Sequence, residues 1–308
     1  MELAITVAIQ VLIIFVLISV GFVLTKTKII NEKGVKQLTD ILLITVTPCV
    51  IIKAYQREFH AELLKGLIMA MLASAIIHII ASAVSVVFFK KEDTVKYRVS
   101  RFAAVCSNCG FMAIPLLSAA LGDDGVFYGS AYLVVFTLFY WTYGVYICTE
   151  DVKRCFSMRS IILNPGVIGV IIGLVLFFAQ IKLPYVISEG VSYMASLNTP
   201  LAMLILGSFL EKVDIKSAVK NISLYIVCFL RLILIPFISI FVLWVLRIDA
   251  EIAKTVLICA ACPVATVTSL FAAKFKLDSI YASETVAVST VLSIITIPLA
   301  IIVSSYVI

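Results

Sequence analysis

Two short stretches hold the side chains with the most chemical potential. The first reads Cys106-Ser-Asn-Cys-Gly-Phe-Met-Ala-Ile-Pro115, the second Cys259-Ala-Ala-Cys-Pro263-Val-Ala-Thr266-Val-Thr268-Ser269. Each opens on Cys-x-x-Cys. In a soluble chain two such pairs would read as a zinc site, because thiolates at that spacing converge on one metal. Here both pairs lie inside apolar runs, where cysteine serves as a small packing residue, so no metal and no other cofactor is expected. Ser107, Asn108, Thr266 and Thr268 are neutral donors that can orient a carboxylate without a permanent charge pair.

Ionisable groups inside apolar runs are costly and are functional candidates by default. Asp40 lies eight residues before Pro48 and is either a proton site or an acid at a helix start. Glu284 either carries a proton or pairs with a cation, or is an interfacial acid. Arg231 either attracts an anion or pairs with helix-end carbonyls. His78 is expected to be packed and satisfied. Enzyme chemistry is not expected: there is no credible Ser–His pair, no His-Glu-x-x-His helix and no pair of mid-span aspartates. Nor is there a Gly-x-x-x-x-Gly-Lys loop for direct ATP drive.

The elements that must position these residues are membrane helices. Of 308 residues, 63% are hydrophobic and only 14% charged, against roughly 25% charge in a soluble domain. Apolar runs predict ten helices at 3–25, 36–54, 62–89, 100–121, 125–148, 160–179, 185–210, 218–246, 252–274 and 279–307. Each is close to the ~20 residues a crossing needs. The first is too long for a signal-peptide core and is read as a mature helix. The net charge of +6 does not form one patch, so nucleic acid is excluded as a partner. Instead the basic residues alternate between loops. Loops 26–36, 90–101, 153–159, 212–220 and 274–276 are rich in lysine and arginine. The other loops hold only Lys53, Arg57, Lys65, Lys182, Arg247 and Lys254. Basic loops stay cytoplasmic, which puts both termini outside the inner (cell) membrane.

The chain also matches itself at an offset of about 152 residues. Gly21-Phe-Val-Leu24 aligns with Gly173-Leu-Val-Leu176, and Thr47-Pro48 with Thr199-Pro200. The two Cys-x-x-Cys pairs align, and Asp124 and Asp278, each read as opening a helix, align as well. Residues 1–152 and 153–308 are therefore read as two repeats. Five helices is an odd number, so the second repeat enters the membrane inverted. Inverted repeats place a site near the midplane, at broken helices in equivalent positions. The two stretches above supply the breaks, since Pro115 and Pro263 each remove a donor mid-span. Half-helix N-termini there offer free N–H groups to an anion.

The segment Asn108 to Leu117 resembles the Asn-Thr-x-x-Met-Gly-Ile-Pro-Leu-Leu segment of the auxin efflux carrier family, including its bacterial malonate- and malate-permease-like members and the related plant auxin transporters. Asn164-Pro165-Gly166, Pro200 to Gly207, Arg231 with Pro236, and Ser269 to Phe275 agree with later family segments in order. The resemblance covers nearly the whole chain. It implies ten helices with outward termini, and a fourth and a ninth helix that unwind and cross around the substrate carboxylate. It implies a scaffold of helices 1, 2, 6 and 7 that forms a homodimer, and a transport unit of helices 3–5 and 8–10 that slides as an elevator. Asn108 matches a substrate-contacting asparagine and Pro115 the first crossing proline. Thr268 stands where plant members have the second crossing proline.

The expected substrate-binding set is Ser107, Asn108, Cys109, Gly110, Pro115, Pro263, Thr266 and Thr268, with Asp40, Glu284 and Arg231 as candidates for proton or charge coupling. The expected fold is an all-α integral membrane protein with two inverted five-helix repeats. The expected function is secondary transport of a small organic anion: a mono- or dicarboxylate or an auxin-like aromatic acid. Its partners would be that anion, membrane lipids and a second copy. An anion channel or a membrane sensor on the same scaffold is the alternative.

Overall fold

Lipid offers no partner for a bare N–H or C=O, so a spanning segment must satisfy its backbone within itself. The computed structural model describes residues 2–89, 95–149, 158–211, 213 and 221–307, and these form an all-α, multi-pass membrane protein. The basic stretches at 90–94 and 150–157, most of 212–220, and the boundary drawn at 152 lie outside the described residues.

The chain opens with α1 (Glu2–Lys26). The second span comprises α2 (Glu32–Ile41), a π-helical turn Leu42–Val46 and α3 (Thr47–Ala54). It begins four residues before the expected start at 36, because Asn31 caps it by accepting from the Gly34 N–H at 2.9 Å. Then come α4 (Ala61–Phe88), α5 (Val95–Val105), a π turn Cys109–Ala113, α6 (Ile114–Phe139), a π turn Tyr140–Gly144 and α7 (Val145–Cys148). The second half holds α8 (Met158–Ile162), α9 (Pro165–Phe178), α10 (Tyr185–Ser196) and α11 (Asn198–Glu211). It continues with α12 (Ile222–Phe229), a π turn Leu230–Leu234, α13 (Ile235–Val245), α14 (Ala250–Ala261), α15 (Val267–Lys274) and α16 (Ser279–Ser304).

Proline explains three of the four π turns. Pro48, Pro115 and Pro236 each sit at the second position of the helix after one. A proline ring clashes with the carbonyl four residues earlier, and widening the preceding turn relieves that clash without ending the span. Within α6 the chain turns at Gly122, whose φ of 64° only glycine adopts cheaply. Asp278 caps α16 through the Tyr281 N–H at 2.9 Å. Asp124, its expected counterpart, is instead engaged by Arg57.

Among the described residues seven stretches are long and apolar enough to cross a membrane: Ile5–Lys26, Glu32–Ala54, Ala61–Phe88, Cys109–Cys148, Tyr185–Glu211, Ile222–Val245 and Ser279–Ser304, with Pro165–Phe178 a shorter apolar helix. The sequence predicted more: α5, α14 and α15 are pieces of interrupted spans, Pro165–Phe178 is short, and Cys109–Cys148 runs through parts of two expected spans as one stretch. α1 packs on α11 and α16, α3 on α9 and α10, and α6 on α4 and α14. The α1–α11 crossing is close: a Cβ added at Gly207 would lie 2.1 Å from the Ile18 carbonyl oxygen, and one at Gly21 2.4 Å from that of Leu204. Small residues allow this approach, and Thr25 adds a 2.7 Å hydrogen bond to Ser208.

Candidate functional site

Two helices stop in the middle of the protein and their loose ends meet. α5 ends at Val105 and α14 at Ala261. Pro263 has no N–H, so α14 cannot run on through it unchanged. The freed strands pair antiparallel at Ser107 and Val264. The Asn108 N–H donates to the Pro263 carbonyl at 2.8 Å and the Ala265 N–H to the Cys106 carbonyl at 2.9 Å. A side chain completes the pairing, with Ser289 Oγ accepting from the Val264 N–H at 3.1 Å. Interrupted backbone is tolerated at membrane depth only when covered in this way.

The carbonyls at the two helix ends are taken by Arg231. It is 1% exposed. Its guanidinium donates to Val105 at 3.0 Å and Ala104 at 3.3 Å at the end of α5, and to the Ala260 carbonyl at the end of α14. A cation suits both places, since each helix C-terminus carries partial negative charge. Of the two roles open to Arg231, the geometry displays the pairing with helix-end carbonyls.

On the other side of the pairing lies a cavity of about 210 Å³. Ser107, Asn108, Gly110 and Phe111 come from the first break and Ala265, Thr266, Val267 and Leu270 from the second. α6 and the turn after it supply Leu133, Phe136, Thr137 and Tyr140. Asn164, Pro165 and Gly166 open α9, and Leu43 and Thr47 belong to the second span. No charged or imidazole side chain is among its described lining residues. The turn at Cys109, α9 and α15 all begin at this cavity, so three helix N-termini bring positive partial charge to it. At α9 the first N–H groups are already satisfied by Asn164 Oδ1, at 3.0 and 3.3 Å to Gly166 and Val167. The same Asn164 donates through Nδ2 to Tyr140 Oη at 2.9 Å, which leaves the tyrosine proton for another acceptor.

Asn108 is 2% exposed, and its Nδ2 has no hydrogen-bond partner. An unmade hydrogen bond of a buried amide costs about 1–3 kcal/mol, which an acceptor in the cavity would recover. Ser107 Oγ donates to Tyr132 Oη at 3.2 Å. Against that tyrosine packs the ring of His78, 4.9 Å between centroids, whose Nδ1 lies 2.7 Å from the Ser74 carbonyl.

Of the residues expected at the site, Ser107, Asn108, Gly110 and Thr266 line the cavity. Cys109 and Pro115 are buried in the turn and helix behind it. Pro263 is part of the backbone pairing, and Thr268 is buried with its hydroxyl unpartnered, outside the lining. Asp40 is exposed and Glu284 is 4% exposed with Oε1 unpartnered, and neither lines the cavity. Thr47, Thr137, Tyr140 and Asn164 were not foreseen as site residues. Asn164 and Thr47 carried a signal as members of the Asn-Pro-Gly and repeated Thr-Pro pieces. Thr137 and Tyr140 carried none. Cys106, Cys109, Cys259 and Cys262 are buried free thiols at the crossing. Among the described residues no group of three or more His, Cys, Asp or Glu is placed to hold a metal.

The pattern of the family described as Membrane transport protein matches residues 6–301. The chain is also similar to an uncharacterized transporter of Methanothermobacter thermautotrophicus, 23% identical over 297 residues that cover 94% of this chain and 95% of that protein. The matched region spans both interrupted helices and every lining residue of the cavity, and the chain belongs to the membrane transport protein family.

Proposed function

We propose that this chain is a secondary carrier of small organic anions and that the cavity at the paired breaks holds the substrate carboxylate. The observation that carries this reading is the unpartnered Asn108 Nδ2, buried at an uncharged cavity on which three helix N-termini converge. A carboxylate oxygen would accept from Asn108, from backbone N–H groups near Gly110 and Thr266, and from Tyr140 Oη. Partial charges suffice to bind an anion, and the absence of a fixed cation in the described lining lets it leave again. The other walls are Leu43, Phe111, Leu133 and Phe136. A second carboxylate lying against them would find threonine hydroxyls but no cation, which favours monocarboxylates with an apolar body over dicarboxylates.

Movement is read from the whole chain. Ten spans arise if the pieces on either side of each break are joined and α6 is divided at Gly122, as two inverted halves at 1–152 and 153–308, with both termini outside. Helices 1, 2, 6 and 7 form the scaffold of a homodimer, and helices 3–5 and 8–10 slide against it. The cavity takes Leu133 to Tyr140 from the C-terminal part of α6 and the turn after it. Earlier along α6, Arg57 pairs with Asp124, Lys53 approaches Asp123 at 3.9 Å, and Tyr55 Oη meets Ser130 Oγ at 2.8 Å. These contacts join scaffold to moving unit and hold the cavity closed to the outside. Glu284, buried with a free carboxylate oxygen, is the favoured proton-coupling group, and Asp40 is its exposed alternative.

A thermal-shift screen of purified protein against mono- and dicarboxylates, followed by uptake into liposomes, tests this reading. A monocarboxylate should raise the melting temperature of the wild type and not of Asn108→Ala. Equal uptake by wild type and Asn108→Ala would remove the site.

A further inference from the structure

A second cavity, of about 540 Å³, lies between α1, α11 and α16. Phe15, Phe22 and Val23 of α1 face Leu210 of α11 and Val288 and Val291 of α16 across it. Val23 and Val291 are 54% and 50% exposed, so the groove is open to its surroundings. Its one hydroxyl, on Ser19, is turned to the Phe15 carbonyl at 2.8 Å. A groove with such walls is a poor host for water, which needs two to four polar partners.

The register of the groove matches one leaflet. From Phe15 to Val23 along α1 is about 12 Å at 1.5 Å per residue, close to half of a hydrocarbon core about 30 Å thick. One turn further along α1 is Lys26, exposed, with Nζ 5.7 Å from the centre of the Phe22 ring. Lys28 follows, also exposed. Neither lysine has an ion-pair partner among the described residues. Glu211 ends α11 next to the lining residue Leu210 and is not itself in the lining. We infer that this groove is a binding site for an anionic phospholipid, with one acyl chain between α1 and α16 and the phosphate on Lys26 and Lys28. The site is separate from the substrate cavity, and it stands whether or not the chain carries organic anions.

Native mass spectrometry of the detergent-purified full chain, titrated with dioleoyl phosphatidylglycerol or dioleoyl phosphatidylcholine, tests it. Phosphatidylglycerol should bind about tenfold or more tightly than phosphatidylcholine, since each lysine near a headgroup contributes on the order of fivefold. K26Q/K28Q should erase that preference, and rising salt should weaken it. Ser19→Trp, which puts a ring into the groove, should weaken both lipids. K26Q/K28Q alters only exposed side chains, so it decides the question even if the tryptophan perturbs folding. Equal binding of the two lipids by the wild type, or a preference that survives K26Q/K28Q, overturns the assignment.

Discussion

Asn108 and Arg231 flank one backbone pairing, and each keeps one buried N–H without a partner, Nδ2 in the asparagine and Nε in the arginine. Arg231 uses its guanidinium on three carbonyls that the breaks set free. Asn108 leaves a donor open. Asn108→Ala should therefore keep or slightly raise the melting temperature of ligand-free protein, because it deletes an unsatisfied amide, while affinity for a carboxylate falls at least tenfold, or about 1.4 kcal/mol. Thermal shift with and without ligand reads both. Arg231→Met should do the reverse of the first effect. It orphans buried carbonyls at two helix ends and should cost on the order of 3 kcal/mol, read as lost folded yield and a lower melting temperature. Tyr140→Phe removes a donor to the ligand and the acceptor of Asn164 Nδ2; it should weaken binding up to about tenfold and lower the melting temperature slightly, measured in the same ligand titration. Asn108 stood out in the sequence because it lies mid-span beside Gly110 and Pro115, in the segment that carries the family resemblance. Tyr140 did not, since an aromatic residue in a membrane helix is ordinary until its neighbour Asn164 is seen.

At the scale of elements, proline and glycine mark where helices bend, break or touch. The π turns ahead of Pro48, Pro115 and Pro236 follow from the missing N–H and the bulk of the ring. That the second span would bend and the fourth would break is not decided by proline alone. Pro48 sits in a span that continues, whereas the stretch before Pro115 has an extended partner to pair with. The α1–α11 contact depends on absent side chains. Gly207→Val should force the two backbones apart and abolish folded yield, because even its Cβ would sit 2.1 Å from a carbonyl oxygen. Gly190→Ala is the matched control: its Cβ would meet nothing within 4 Å, and the variant should fold as the wild type does. Size-exclusion profiles of the two variants make the comparison.

For the whole molecule, the proposal requires that the cavity reach each side in turn. The Arg57–Asp124 pair, assisted by Lys53 and by Tyr55 on Ser130, fastens the residues around the end of α3 to α6. Exposed ion pairs are worth about 1 kcal/mol or less, enough to shift a two-state balance roughly fivefold. Asp124→Asn should therefore increase labelling of Thr137→Cys by a membrane-impermeant thiol reagent applied from the outside. Unchanged labelling would show that the latch does not set the balance. Apolar content and run lengths alone determined an all-α membrane protein, and Asn108 and Pro263 lie where its helices are interrupted, while Pro115 lies in the helix that follows the first break. These are local properties: a run of apolar residues needs a helix in lipid wherever it sits, and a proline takes one donor out of the ladder whatever surrounds it. Only the tertiary structure decided that Ser107 would pair with Val264, that Arg231 would turn to helix-end carbonyls and away from the cavity, and that Thr47, Tyr140 and Asn164 would complete the cavity wall. Those outcomes depend on which segments, far apart in the chain, lie side by side. No spacing within one segment records that, because the groups that cover the freed backbone come from other segments of the chain.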